Sequence, residues 1–462
     1  MEAAWRDTIA AIATPLGVGG IGVVRISGPH AVVAAQRVFV RPSGLPLTRL
    51  PSHQVQHGFV VDAQGKRIDE ALLCVMRQPH SYTREDVAEI SCHGGVMVTQ
   101  RVLETVLGQG VRVAEPGEFT RRAFLNGRLD LTQAEAVIDL INARTQASHR
   151  AAINQLDGAL SRYLRALREE LIQVSVYLEA GIDFPEEELQ LVSEAVLCAR
   201  LQGVVAQLEA LGASFARGRL LHDGMAVAVV GRPNVGKSSL LNALLGRDRA
   251  IVSPQPGTTR DTIEEELNID GVLVRLTDTA GLHSATDVIE QEGMRRARTV
   301  VERAELLIVV LDGSTALTAD DFLVLAETTE APRLLVRNKC DLSLSWTAAD
   351  LTSAGAPDAV LDVSALQHRG LRELEQAIVR QALGNEPLSQ DEVLLTRARH
   401  HQSIVSSLEN VRTAQHGLQH EVPLECVALD VGEALQHIAD VLGESVAGEV
   451  LDRIFHQFCV GK

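Results

Sequence analysis

The chain has 462 residues, 46% hydrophobic and 22% charged, enough for two to four domains that each bury a core. No apolar run reaches the roughly 18 residues that span a bilayer. The opening Met1-Glu-Ala-Ala-Trp5 lacks the basic-then-apolar order of a signal peptide, so a cytoplasmic protein with no membrane partner is expected. The net charge of −17 argues against a generic nucleic-acid binder, but it is uneven: residues 1–128 carry 14 Lys/Arg against 11 Asp/Glu, the remainder 29 against 49. Contact with a polyanion is therefore expected on the N-terminal part. The six cysteines are scattered without a CxxC pair, so neither a disulfide framework nor a zinc knuckle is indicated.

In chain order four stretches differ in texture. Residues 1–128 mix β-like runs, Ile21–Ile26 and Leu72–Met76, with Gly and Pro punctuation, which reads as a small α+β domain. Residues 129–223 turn helical: Ala134, Val137, Ile138 and Ile141 recur at helical spacing, as do Leu156, Leu160, Tyr163, Leu164, Leu167 and Leu171. A break follows at Asp183-Phe-Pro185. Residues 224–385 alternate apolar strands with helical patterns, the signature of an α/β fold. The strand candidates are Met225–Val230, Val272–Leu276, Leu306–Leu311, Arg333–Val336 and Ala359–Val363. Residues 386–462 return to helical period through Leu435, Ile438, Val441 and Leu442, then Leu451, Ile454, Phe455 and Phe458. The expected architecture is a multidomain α+β chain: an N-terminal α+β domain and one discontinuous all-α domain interrupted by an inserted α/β domain.

Gly231-Arg-Pro-Asn-Val-Gly-Lys-Ser238 fits the phosphate-binding loop G-x-x-x-x-G-K-[ST], between an apolar strand and the helical run Ser239–Leu245. Its glycines let backbone N–H groups approach phosphates, Lys237 brings a point charge to the β/γ-phosphates, and the Ser238 hydroxyl suits Mg²⁺. Asn234, Val235, Gly236, Lys237, Ser238 and Ser239 are thus expected to line a nucleotide. Asp278-Thr279-Ala280-Gly281 ends a strand; its Asp can hold the Mg²⁺ shell and its Gly can offer an N–H to the γ-phosphate. Asn338-Lys339-Cys340-Asp341 ends another; its Asp can accept both guanine N–H donors, which adenine does not present. Ser364-Ala365 ends the last, as a base-contacting loop does. All sit at carboxyl ends of strands, where doubly wound sheets bind ligands. Between the phosphate loop and Asp278–Gly281, the Pro-flanked Gly257-Thr258-Thr259-Arg260-Asp261 reads as a switch ordered around Mg²⁺ and γ-phosphate, and Ser253, Pro254, Gln255 and Pro256 just before it are also expected to line the nucleotide. Thr259 is the expected second Mg²⁺ ligand, with Thr258 the alternative. After Gly281 stands Leu282, which cannot orient water as a Ras-like Gln does; Asp287 and Glu290 are the acidic residues downstream. Gly17-Val-Gly-Gly-Ile-Gly22 matches GxGxxG but precedes a β-run rather than opening a helix, so a dinucleotide site is set aside.

These motifs, with Asp7–Pro15, Arg25-Ile-Ser-Gly28, Glu118–Gly127 and the terminal Cys459-Val-Gly-Lys462, resemble the MnmE (TrmE) family of tRNA modification GTPases over essentially the whole chain. The resemblance implies a homodimer formed through the N-terminal domain. It also implies a folate one-carbon donor, 5,10-methylenetetrahydrofolate with 5-formyltetrahydrofolate as its analogue. With the flavoprotein MnmG, in a heterotetramer or larger complex, such proteins add a carboxymethylaminomethyl or aminomethyl group at C5 of the wobble uridine, position 34, of certain tRNAs. By motif position Arg25, Glu89, Arg128 and Lys462 fall at folate-site positions. The family depends on K⁺; Asn234, Ser253, Gln255 and Thr258 match its cation positions, and Glu290 its water-orienting glutamate. A cation beside the phosphates can do part of an arginine finger's work. Cys459 reads either as a reactive thiol near the folate or as a structural residue packed with Phe455 and Phe458. The alternative function is a ribosome-assembly GTPase that binds RNA without modifying it.

Overall fold

The computed structural model describes residues 7–44, 50–183, 193–246, 264–278, 301–354, 360–384, 392–446 and 448–462. The chain divides into two compact units: Met1–Ile138 with Leu156–Arg168 and Leu435–Lys462, and Asp139–Gln155 with Glu169–Ala434.

Side-chain alternation builds the sheet of the first unit, because successive residues of a strand leave opposite faces. Its strands are β1 (Ile9–Ile12), β2 (Ile21–Ser27), β3 (Phe39–Val40), β4 (Gln54–Val61), β5 (Arg67–Met76), β6 (Val87–His93) and β7 (Arg112–Val113), in the order β3-β4-β5-β6-β2-β1-β7. Every pairing is antiparallel except β1 with β7. Val24, Ile26, Leu73, Val75, Ala88, Ile90 and Cys92 form a buried face, covered by α1 (Ala31–Val38) and α2 (Val96–Leu107). Arg25, Cys74 and Glu89 leave the other face, aligned across β2, β6 and β5.

Helix α3 (Glu118–Leu125) is held by a buried ion network. Arg122, 1% exposed, donates to Asp7 Oδ1 at 2.7 Å, Glu118 Oε1 at 2.9 Å and Glu85 Oε1 at 3.2 Å, and Arg112 closes on Glu118 at 2.6 Å. Burial alone raises the Asp7 and Glu118 carboxyls, but the two arginines outweigh it and hold both below the ordinary range. The last helix, Gly448–Phe455, buries Leu451, Ile454 and Phe455 with Phe458 against Leu131, Ala134 and Val137 of α4 (Leu131–Asn142). The chain end then lies along α3: Gly117 N–H donates to the Cys459 carbonyl at 3.4 Å and Phe119 N–H to the Lys462 carbonyl at 3.2 Å. Gly461 has φ +97°, and a Cβ there would sit 2.3 Å from the Ile12 carbonyl oxygen, so this approach requires glycine.

The second unit takes α5 (Gln146–Leu156) up to Gln155 and α6 (Ala159–Asp183) from Glu169 onward, followed by α7 (Glu194–Ala213) and α8 (Phe215–Asp223). Glu194–Asp223 is long and apolar enough, by length and composition, to cross a membrane, a stretch that strict apolar run-length overlooks. In α7, however, Leu197, Leu201, Val204, Val205, Leu208 and Leu211 form a buried stripe at helical spacing, and α7 packs along the helix Ala398–Gln419.

The second sheet runs β13-β12-β11-β8-β10-β9, from β8 (Met225–Val230), β9 (Glu264–Ile269), β10 (Val272–Asp278), β11 (Leu306–Asp312), β12 (Arg333–Asn338) and β13 (Val360–Asp362). All pairs are parallel except β9 with β10. All seven residues of β11 are buried, as expected of a strand covered on both faces. One face packs on α9 (Lys237–Leu245) and the helix Leu371–Leu383, the other on the helix Ala319–Glu327 and Trp346. The five strands expected from the sequence are present; β9 was not expected.

Helix α8 joins this sheet to its flanking helices by charge. Arg219 pairs with Glu305 before β11, Arg217 with Glu392, and His222 with both Asp139 at 3.0 Å and Asp223 at 2.6 Å, while Arg397 also reaches Asp139. Hydrogen bonds to Asp139 and then Asp223 push His222 up to about 9. A histidine raised in the folded state stabilises fully below its unfolded value of about 6.5, and that contribution disappears as pH rises through the folded value. His222→Ala is therefore expected to lower the melting temperature at pH 7, with the gap from wild type shrinking as pH is raised to 10. A gap that does not change with pH contradicts this role.

Candidate functional site

The phosphate loop owes its shape to what surrounds it. β8 ends buried at Val230, and Gly231 follows with φ +150°. A Cβ there would lie 2.4 Å from the Val310 carbonyl oxygen of β11, so the turn presses on its neighbour as only glycine allows. Asn234 is left-handed at φ +65°, Gly236 at φ +97°, and α9 starts at Lys237. The unpaired N–H groups and dipole of a helix start favour an anion at this place. Lys237 is buried, its ammonium donating to the carbonyls of Gly231 at 2.8 Å and Arg232 at 3.0 Å. Ser238 and Ser239 are exposed on the first turn of α9.

The expected base-binding residues meet this loop directly. Asn338 is buried at the end of β12; its amide N–H donates to the Val235 carbonyl at 2.9 Å and its Oδ1 accepts from Ala365 N–H at 3.1 Å. One side chain thus ties together Gly231–Ser238, Asn338–Asp341 and Ser364-Ala365. Gly236 is glycine for the same reason, since a Cβ there would come within 2.3 Å of the Asn338 amide nitrogen. Lys339, left-handed at φ +63°, donates to the Asn234 carbonyl at 3.1 Å. The buried Ser364 hydroxyl accepts from Gln367 N–H at 3.1 Å. Asp341 is half-buried, at the same rim. Asp278 ends β10 opposite Val229 of β8, which brings the third motif to this edge of the sheet. Ser253, Pro254, Gln255, Pro256, Gly257, Thr258, Thr259, Thr279, Ala280, Gly281, Leu282, Asp287 and Glu290 lie outside the described residues.

A second cluster lies in the first unit. Arg25 Nε donates to Glu89 Oε1 at 2.7 Å across β2 and β6, and Arg25 Nη1 to the Gly461 carbonyl at 3.2 Å. The Tyr82 ring collects three cations: Arg128 at 4.7 Å from its centroid, Arg25 at 5.6 Å and the Lys462 ammonium at 5.6 Å. Arg128 also donates to the Tyr82 carbonyl at 2.8 Å, and the Tyr82 hydroxyl pairs with Thr120 of α3 at 2.8 Å. Burial, reinforced by Arg25 and Arg128 and opposed by Glu89, pushes the Lys462 ammonium down; burial pushes the Tyr82 hydroxyl up. Arg25, Glu89, Arg128 and Lys462, scattered along the sequence, are therefore neighbours. Tyr82 was not singled out from the sequence, where it stands alone between Ser81 and Thr83 without a pattern. Cys459 is exposed, while Phe455 and Phe458 beside it are buried.

A phosphate loop opening a helix, latched to an Asn-Lys-Cys-Asp strand end across neighbouring parallel strands, is the arrangement of a P-loop GTPase, an enzyme that binds and hydrolyses GTP. Residues 8–128 match the family model of the GTP-binding protein TrmE N-terminus, and residues 131–459 that of the MnmE helical domain. The tRNA modification GTPase MnmE of Moorella thermoacetica is 45% identical over 99% of this chain and 99% of its own. That of Lactiplantibacillus plantarum is 43% identical over 99% and 98%, and that of Geobacillus kaustophilus 41% over 99% and 99%. The chain belongs to the MnmE (TrmE) family of tRNA modification GTPases.

The Gly236 contact gives a direct test of the cradle. Gly236→Ala is expected to weaken binding of a fluorescent GDP at least about tenfold, roughly 1.4 kcal/mol. Wild-type affinity in that variant would show that the close approach of the Asn338 amide is not required.

Proposed function

We propose that the chain is a K⁺-dependent GTPase. It acts as a cytoplasmic homodimer with MnmG, in a heterotetramer or larger complex, to install a carboxymethylaminomethyl or aminomethyl group at C5 of uridine 34 in certain tRNAs. The observation that carries this reading is the Arg25–Glu89–Arg128–Lys462 cluster in a chain that also holds a guanine-nucleotide cradle. A GTPase that only binds RNA has no use for such a cluster, and family membership displaces the ribosome-assembly alternative.

At the nucleotide, the backbone from Asn234 to Ser239 cradles the phosphates and Lys237 faces the β/γ-phosphates. Ser238 and Thr259 would hold Mg²⁺, with Thr258 the alternative to Thr259, and Asp278 would support its shell. Asn338, Lys339, Asp341, Ser364 and Ala365 take the guanine side, and residues 253–259 and 279–281 complete the nucleotide-binding set. The exposed Ser238 at the start of α9 fits a Mg²⁺ ligand, and Asn234 at the tip of the loop fits a K⁺ ligand together with Ser253, Gln255 and Thr258. A monovalent cation there supplies positive charge against the developing phosphate charge. Glu290 orients the attacking water that Leu282 cannot.

In the first unit, three cations and one carboxylate around an aromatic ring fit an anionic, conjugated ligand such as a folate. Arg25, Arg128 and Lys462 suit its carboxylates, Glu89 its N–H donors, and Tyr82 its ring. 5,10-Methylenetetrahydrofolate bound there supplies the one-carbon unit. The exposure of Cys459 favours its reading as a reactive thiol over a packed one. The homodimer is supported by the outward sheet face that carries Arg25 and Glu89: Val55 is 61% exposed and Leu72 45% on that same face, which leaves apolar surface for a second copy. Residues 1–128 form the dimerising, folate-binding domain. Residues 129–223 and 386–462 form one helical domain, and 224–385 form the inserted GTPase domain. With a net charge of −17, most tRNA phosphate contacts fall to MnmG and the remainder to residues 1–128.

The test is GTP turnover in K⁺ against Na⁺. Turnover at least about tenfold faster in K⁺ is expected, and Glu290→Ala should lose about 10²-fold or more. tRNA from cells carrying only that variant should lack the uridine modification by nucleoside mass spectrometry. Equal rates in the two salts, or full modification by Glu290→Ala, contradict the proposal.

A further inference from the structure

Asp312 ends β11 between the phosphate loop and the guanine loop, and it belongs to none of the GTPase motifs. Its carboxylate is 6% exposed, and a buried charge persists only when it is paired and hydrogen-bonded. Oδ2 accepts from the Lys339 ammonium at 2.6 Å; Oδ1 accepts from Ser314 N–H at 2.9 Å and its hydroxyl at 2.6 Å. Burial alone raises this carboxyl, yet Lys339 and Ser314 outweigh it and hold it below the ordinary range, so it is charged at neutral pH.

The backbone around Asp312 is fixed independently. Its carbonyl accepts from the Trp346 indole N–H at 2.8 Å, and Gly313 N–H donates to the Asn338 carbonyl at 2.8 Å. What the carboxylate adds is the aim of Lys339. That residue is left-handed, a conformation unfavourable for a non-glycine residue, and it holds only where surrounding contacts over-determine it. Fixed by Asp312, the same ammonium reaches the carbonyl of Asn234, also left-handed. A chain of contacts thus runs from the end of β11 through the guanine loop into the phosphate loop.

We propose that Asp312 is a positioning residue for the guanine nucleotide: it fixes Lys339 so that the base-binding and phosphate-binding loops are held together, and it sets nucleotide affinity without touching the nucleotide. This rests on the reading of Asn338–Asp341 as the guanine loop.

The full-length protein is tested with a fluorescent GDP in stopped flow and with steady-state GTP hydrolysis. Asp312→Ala is expected to raise Kd about tenfold through faster dissociation, and to raise KM about tenfold while kcat falls less than twofold. Asp312→Asn keeps a hydrogen-bond acceptor for Lys339 without the charge, so Kd should rise only about threefold. On a Lys339→Ala background, Asp312→Ala should add less than a further twofold, because the effect passes through Lys339. Wild-type Kd in Asp312→Ala, or effects that multiply in the double variant, overturns the proposal. If Asp312→Ala does not fold by circular dichroism, Asp312→Asn decides, and an unchanged Kd there overturns it. A wild type that does not prefer GDP to ADP instead sinks the guanine reading on which the proposal rests.

Discussion

The Asn338 side-chain amide is the contact on which the nucleotide site depends. Its two hydrogen bonds, to the Val235 carbonyl and from the Ala365 N–H, lock three separate strand ends into one rim. Each bond has a net worth of only about 0.5–1.5 kcal/mol, but an orphaned buried partner costs about 1–3 kcal/mol. The asymmetry makes the arrangement close to all-or-none. The requirement for glycine at position 236 and the left-handed backbone at Asn234 and Lys339 all follow from holding loops this close together. Parallel strands make it possible, because their carboxyl ends share one edge of the sheet and their loops meet there.

A comparable economy governs the first unit. The alternation of β2 and β6 puts Arg25 and Glu89 side by side on the face away from the core. The Arg122 network fixes α3, and α3 in turn presents Phe119 N–H to the last carbonyl of the chain and Thr120 to Tyr82. The terminal Lys462 therefore reaches a site begun near the other end of the sequence. The glycine at 461 lets the tail pass the Ile12 carbonyl, and Phe455 and Phe458 anchor it from behind. The nucleotide cradle and the Tyr82 cluster are thus built by different physics: backbone loops on strand ends in one unit, side chains on a sheet face in the other.

Much of this was legible in advance, for identifiable reasons. β8 and β11 read as strands because burial on both faces leaves continuous apolar runs, and the phosphate loop is local, so its spacing survives in one dimension. β9 was missed because Glu264-Glu-Glu-Leu-Asn-Ile269 is acid-rich and becomes a strand through pairing with β10. A cue was present in Asp270-Gly271, whose residues both have positive φ, as a tight hairpin turn needs. Arg25, Glu89, Arg128 and Lys462 were reachable only through family resemblance, since nothing in their spacing brings them together. Tyr82 and Asp312 carried no signal at all. Their significance comes from what surrounds them in three dimensions: three cations for one, a lysine already committed to the phosphate loop for the other.

The nucleotide site depends most on whether the rim around Asn338 reads guanine. Asp341 provides the most direct measurement, because a carboxylate accepts both N–H donors of guanine's edge. An amide at this position would donate one hydrogen bond instead, matching a base with a carbonyl where guanine has its amine. For Asp341→Asn, competition binding with GDP and xanthosine diphosphate should show GDP affinity falling by about 10²-fold or more while xanthosine diphosphate gains, one well-placed hydrogen-bond mismatch being worth several kcal/mol. A variant that still prefers GDP as wild type does would contradict the account.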